Sequence, residues 1–260
     1  MKNFFIETYH FLKQNFYSAI YWIILIFIIL ISGFIPEDII SKYDSIFIIV
    51  IFLQIFLILF KIETKKEFLV ILIFHTIATA MEVFKTSDAI WSWKYPDIEN
   101  SFFVLWNIPL FVWFLYSAVW SYISRSQKYL NLEYKNYPKN RYAIILAALI
   151  YLNFFTHHFI YDFRYFLIWF TVFLFYKTSI KFKVYKKTRK ISFLLSWFLT
   201  AIFVWIAENI ATFQKIWLYP NQENGWELVQ FSKATSWFLL LIVSFVIIST
   251  LNNKVFKIKK

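Results

Sequence analysis

The stretch Ile23–Ile31, IILIFIILI, is nine apolar residues without a break, set inside a run from Ser18 to Ile35 that carries no charge. A membrane β-strand would alternate apolar and polar side chains, because its two faces meet lipid and lumen. A helix satisfies its own backbone hydrogen bonds in lipid and tolerates apolar residues all round. The run therefore reads as a transmembrane helix, and a barrel is excluded. By the same criterion, about 20 apolar residues for a hydrocarbon core of roughly 30 Å, seven more runs emerge along the chain. The eight expected spans are 18–35, 45–61, 67–84, 102–124, 142–159, 164–180, 191–212 and 231–251. The expected fold class is all-α: a polytopic membrane protein with eight transmembrane helices, in a single membrane domain over residues 1–260.

Composition agrees. The 260 residues are 60% hydrophobic and 24% aromatic, with a mean hydropathy of +0.59, beyond the range of an ordinary soluble domain. With no cysteine and only two glycines, disulfide frameworks, thiolate metal sites and phosphate-cradling glycine loops are excluded. A net charge of +12 would suggest nucleic acid in a soluble chain. Here the basic residues lie between apolar runs, not in one stripe, so no nucleic-acid partner is expected. Twenty-one of the 27 lysines and arginines fall in the N-terminus, the second, fourth and sixth loops and the tail. The positive-inside rule places that set, with both termini, in the cytoplasm, and an odd number of spans would break the pattern. The opening residues 1–17 are amphipathic, and no small-residue cleavage site follows the first apolar run, so no cleaved leader is expected.

One motif occurs twice. Trp93-Lys94-Tyr95-Pro96-Asp97-Ile98-Glu99-Asn100 returns as Trp217-Leu218-Tyr219-Pro220-Asn221-Gln222-Glu223-Asn224, an offset of 124 residues. Each copy follows the third span of a four-span half, and each is preceded by a glutamate, Glu82 or Glu208, near that span's outer end. Because four is even, halves 18–124 and 142–251 form parallel repeats about an axis along the membrane normal. Both motifs then face the extracytoplasmic side. A second reading makes Trp-x-Tyr-Pro an interfacial aromatic anchor followed by a turn.

Ionisable groups inside a span cost about 2.5–3.5 kcal/mol on insertion scales, so each calls for a partner or a wet cavity. His75 and Glu82 stand seven residues apart, on one helix face. Glu208 and Asn209 occupy the corresponding end of the seventh helix, while Asn153, His157, His158, Asp162 and Arg164 cluster between the fifth and sixth. The candidate catalytic groups are Glu82, Glu208, His75, His157 and Asp162; Trp93, Tyr95, Asn107, Asn209, Trp217, Tyr219 and Lys233 are candidates for substrate binding. In the plainer alternative, the histidines and acids at helix ends are interfacial and solvated. Imidazole and carboxylate ligands are present, but no HxxH or HExxH spacing groups them, so no metal and no cofactor is assigned. The nucleophile signature GxSxG is also absent.

The stretches YLNFFTHHFIYDFRYF at Tyr151–Phe166 and WIAENIATF with WLYPNQ at Trp205–Gln222 resemble the signatures of the YoaT-like family of bacterial integral membrane proteins. FHTIATAMEVFK at Phe74–Lys85 and SWKYP at Ser92–Pro96 extend the resemblance over nearly the whole chain. It implies a multi-pass protein of the bacterial inner membrane and brings no activity with it, the family being classed as a domain of unknown function. A shorter, gapped likeness joins the embedded glutamate, the W-x-Y-P loop and Asn107-Ile108-Pro109 to membrane carotenoid hydratases and cyclases.

Three functions compete. A lipid-phase acid–base enzyme would use Glu82 or Glu208 to protonate a lipid or isoprenoid double bond, with Trp93, Trp217, Tyr95 and Tyr219 stabilising the cation. A small-solute permease would exploit parallel repeats and an outward-facing polar cavity, although two glycines leave few hinges. A scaffold or sensor would have little surface in such short outer loops. Partners are accordingly membrane lipids and one lipid or small-molecule ligand.

Overall fold

The structure is a computed structural model that describes residues 2–36, 39–59, 76–251 and 256–258. The apolar runs become helices: α1 (Lys2–Ser32), α2 (Lys42–Leu59), α3 (described over 76–85), α4 (Val112–Tyr129), α5 (Asn140–Thr156), α6 (Arg164–Phe175), α7 (Phe193–Phe213) and α8 (Ser232–Leu251). Among the described residues, four helices, α1 from Phe4 onward, α2, α7 and α8, are long and apolar enough to cross a membrane. On α7, Leu195, Leu199, Phe203 and Ile206 are exposed, and their spacing puts them along one side of the helix. An apolar stripe of that kind suits lipid and not water. The molecule is a mostly helical membrane protein.

Among the described residues, α1 begins at Lys2, well before the expected start at 18, and two expected spans are shorter as helices than expected. Residues 102–111 are not helical, so α4 starts only at Val112. Pro109 has no N–H for a helical ladder and restricts the residue before it, while the Asp44 carboxylate accepts the N–H groups of Phe102 and Phe103, each at 2.8 Å. The segment instead makes a small hairpin, β1 (Val104–Leu105) with β2 (Ile108–Pro109). The expected sixth span ends early, because α6 is 12 residues long, roughly 18 Å.

The all-α expectation needs correcting. A four-stranded sheet forms from β3 (Glu133–Lys135), β4 (Ser179–Val184), β5 (Lys187–Ser192) and β6 (Lys257–Ile258), in the order β5-β4-β3-β6, with β6 parallel to β3 and the other pairs antiparallel. The cause is local alternation. Ile180, Phe182 and Val184 interleave with Lys181 and Lys183, so a strand segregates the two sets while a helix would mix them. A two-residue turn at Tyr185-Lys186 closes the β4–β5 hairpin, with Tyr185 at a φ of 53° where glycine would be usual.

The chain packs into two compact units, a motif unit (residues 22–118 and 206–230) and a terminal unit (residues 1–21, 119–205 and 231–260). They interleave in sequence.

In the motif unit the start of α2 organises the loops. Tyr43 is buried, packs its ring against Tyr95 and Phe111, and donates its hydroxyl to the Ile216 carbonyl at 2.9 Å. Val50, Ile108 and Ile216 in the same unit are fully buried.

In the terminal unit α8 is the central helix, packed against α5 and α6. Phe245 on α8 lies among Tyr134, Phe193, Trp197 and Phe256, with ring centroids 4.9 to 5.7 Å apart. Tyr134 thereby ties the inner face of the sheet to the helices.

Candidate functional site

Glu82 sits on α3, 5% exposed. After α3 the chain folds straight back: Ser92 donates its N–H to the Lys85 carbonyl at 2.8 Å, and Trp91 adopts a φ of 40°. That reversal brings the next residues over the carboxylate. Oε2 accepts from the Trp93 indole at 3.2 Å and the Tyr95 hydroxyl at 3.0 Å. Tyr116, arriving on α4, donates its hydroxyl to Oε1 at 2.5 Å. The carboxyl group is thus held by three neutral donors, two phenols and an indole.

The second motif repeats the core of this arrangement. Glu208 on α7 is 3% exposed and accepts the Tyr219 hydroxyl on Oε1 at 2.5 Å. Pro220 opens a single 3-10 turn to Gln222, whose side chain accepts the Tyr219 N–H at 3.2 Å and donates to the Glu227 carbonyl at 2.6 Å. Burial first, and then the adjacent carboxylate, pushes both phenols well above their ordinary value of 10. Tyr95 and Tyr219 therefore stay protonated donors at any physiological pH.

The two loops bond to each other. Lys94 and Leu218 exchange two backbone hydrogen bonds, both 2.9 Å, in an antiparallel bridge. They occupy the same place in the two motifs, 124 residues apart. The Lys94 ammonium also pairs with the Glu223 carboxylate and lies 5.4 Å over the Trp91 ring.

Of the candidate residues, Glu82, Trp93, Tyr95, Glu208, Asn209, Trp217 and Tyr219 belong to the motif unit. Asn209 accepts the Val229 N–H at 2.9 Å, closing the loop after the second motif. Asn107 is in this unit too, but exposed at the tip of the β1–β2 hairpin and not on a helix. His75 lies outside the described residues. His157, Asp162 and Lys233 belong to the terminal unit, Lys233 in the first turn of α8. There Asp162 shapes the α5–α6 turn: it accepts the Asn153 amide at 3.0 Å and the Arg164 N–H at 2.9 Å, and pairs with the Arg164 guanidinium at 3.1 Å. Partial burial would raise the Asp162 carboxyl, but those donors and charges outweigh it and hold the group below its ordinary value of 3.8. His157 turns its Nδ1 to the Asn153 carbonyl, 2.8 Å away, and its ring lies tilted against His158 with centroids 4.0 Å apart. Among the described residues, no three His, Cys, Asp or Glu side chains gather as metal ligands.

Tyr116 and Asp44 are the participants that sequence reasoning missed. Asp44 had a signal, a carboxylate at the head of an apolar run. Tyr116 had none, being one aromatic among many.

A family profile described as "Protein of unknown function (DUF817)" matches residues 7–245. The chain belongs to this family. It is similar to the Uncharacterized protein YoaT of Bacillus subtilis (strain 168), 37% identical over 247 residues that cover 95% of this chain and 92% of that protein. No solved structure matches. The match spans both glutamates and both Trp-x-Tyr-Pro loops, so the family relation covers the whole of the site. It carries no activity with it, and a function has to be argued from geometry.

Proposed function

We propose that the chain is an acid–base enzyme embedded in the bacterial inner membrane, acting on a lipid or isoprenoid substrate through Glu82. The observation that carries this reading is a buried carboxyl group with two phenols and an indole converging on it. In its protonated form a carboxyl so placed gives its proton to a double bond: the O–H bond breaks, a C–H bond forms, a cation is left on the neighbouring carbon, and the three donors hold the carboxylate that remains. The faces of Trp93 and Trp217 stabilise that cation, and Glu208 takes the proton lost when a new double bond forms.

The site is framed by eight spans in two parallel four-helix repeats, with both termini in the cytoplasm and both motifs outside. Support comes from the distribution of lysines and from the Lys94–Leu218 bridge, since equivalent residues meet in an antiparallel pair when a two-fold axis passes between them. The same symmetry favours a second reading, a small-solute permease, for which uptake by the full chain in liposomes is the test.

Glu82→Gln should erase any change in lipid or pigment profile that wild-type protein produces in an expressing strain. Identical extracts from wild-type and empty-vector cells would remove the enzyme reading. The natural absence of cysteine makes topology directly testable. Single cysteines at the exposed equivalents Asn100 and Asn224 should both react with an impermeant maleimide in intact cells. Labelling at only one of them defeats the shared compartment.

A further inference from the structure

The four-stranded sheet uses its two faces in opposite ways. The register aligns Ile258, Tyr134, Ile180 and Ile191 across one face, where Tyr134 meets Phe193, Phe245 and Phe256. The basic residues on that side, Lys187 and Arg189, are both paired with Glu7 on α1. On the opposite face the register aligns Lys257, Glu133, Lys181 and Lys190 in a single row. Lys135 and Lys183 stand two residues along β3 and β4 from that row, on the same side.

This second face concentrates positive charge against itself. Lys181 and Lys190 are directly opposite each other, an arrangement that destabilises a sheet unless something neutralises it. The Lys181 ammonium beside Lys135 holds the Lys135 amine below its ordinary value of 10.5. Five lysines share this face with one carboxylate, Glu133, and Lys183, Lys190 and Lys257 are exposed.

The position of the sheet identifies what meets that charge. β5 ends at Ser192 and α7 begins at Phe193, while β4 starts at Ser179, four residues after α6 ends at Phe175. Three intervening residues reach at most roughly 10 Å, and the headgroup layer on each side of the hydrocarbon is about 5–8 Å deep. A sheet tethered so closely to apolar helices is within reach of the headgroup layer.

We infer that the Lys135, Lys181, Lys183, Lys190 and Lys257 face is a docking site for the phosphodiester headgroups of anionic phospholipids. It rests on the membrane reading but is independent of the chemistry at Glu82. The test uses the full chain in nanodiscs of equal phosphatidylglycerol and phosphatidylcholine, with the lipids retained after release into detergent counted by native mass spectrometry. Wild type should enrich phosphatidylglycerol about tenfold at low salt and much less in high salt. The Lys135→Gln, Lys181→Gln, Lys183→Gln, Lys190→Gln variant should fall to parity, and the corresponding arginine variant should keep the enrichment. Lys190→Glu separates binding from folding. It places opposite charges across the β4–β5 pair, so the protein should melt higher in pure phosphatidylcholine while its enrichment drops. Wild-type enrichment retained by the glutamine variant overturns the proposal. So does parity in wild type that remains in the carbonate-resistant membrane fraction, a result that leaves the membrane reading standing. If wild type shows parity for lipid but binds inorganic polyphosphate, and the glutamine variant does not, the occupant is a soluble polyanion and the lipid site is wrong.

Discussion

Glu82→Ala should destabilise the protein by about 2–4 kcal/mol, because it removes the acceptor shared by the buried Tyr95 hydroxyl and the half-buried Trp93 and Tyr116 donors. Each stranded group costs on the order of 1–3 kcal/mol, and the total falls short of the sum because the groups share one acceptor and relax together. Tyr95 is buried beside Tyr43 and has no easy route to water. Tyr116 reaches Glu82 from α4, so losing the carboxylate also releases α4 from α3. Glu82→Gln keeps the volume and one acceptor oxygen but turns an NH₂ group toward donors, and should lose about 1–2 kcal/mol. Unfolding in detergent micelles, followed by tryptophan fluorescence, gives both values. A double-mutant cycle with Tyr116→Phe then isolates the 2.5 Å contact. Should Glu82→Ala unfold within about 0.5 kcal/mol of wild type, the carboxylate is not the hub of the motif unit.

Phe245→Ala should lose about 3–5 kcal/mol by a different mechanism, an unfilled cavity. Phe245 is 0% exposed, and its ring is surrounded by Tyr134, Tyr137, Phe193, Trp197 and Phe256. Those neighbours come from β3, the loop after it, α7 and the segment around β6, so the space left behind is walled by several elements and cannot close by the shift of one. Phe203→Ala is the matched control. At 72% exposed on α7, it removes a ring whose surroundings are lipid, and lipid or detergent fills the space. Its effect should stay within about 0.5 kcal/mol. Equal losses at Phe203 and Phe245 would mean that the aromatic cluster is not a packed core.

The helical membrane class was legible because lipid selects residue by residue: a run such as Ile23–Ile31 announces its surroundings without reference to the rest of the chain. The β4–β5 hairpin was written just as locally, in the alternation of Ile180, Phe182 and Val184 with lysines. It was hidden by the expectation of a basic loop, since the same lysines satisfy the positive-inside pattern. β3 and β6, three and two residues long, carry no such pattern and exist only because β4 offers β3 a partner and β3 offers one to β6.

The site divides along the same line. Glu82, Glu208 and the two matching Trp-x-Tyr-Pro stretches were readable, since a carboxylate in an apolar run and a motif that returns after 124 residues are properties of the chain order. That Trp93 and Tyr95 turn back onto Glu82, that Tyr116 arrives from 34 residues away to complete the set, and that Lys94 pairs with Leu218 were settled by folding. The carboxylate's charge and burial are local facts, whereas its donors are chosen by which distant segments pack beside it, and packing is a property of the whole chain.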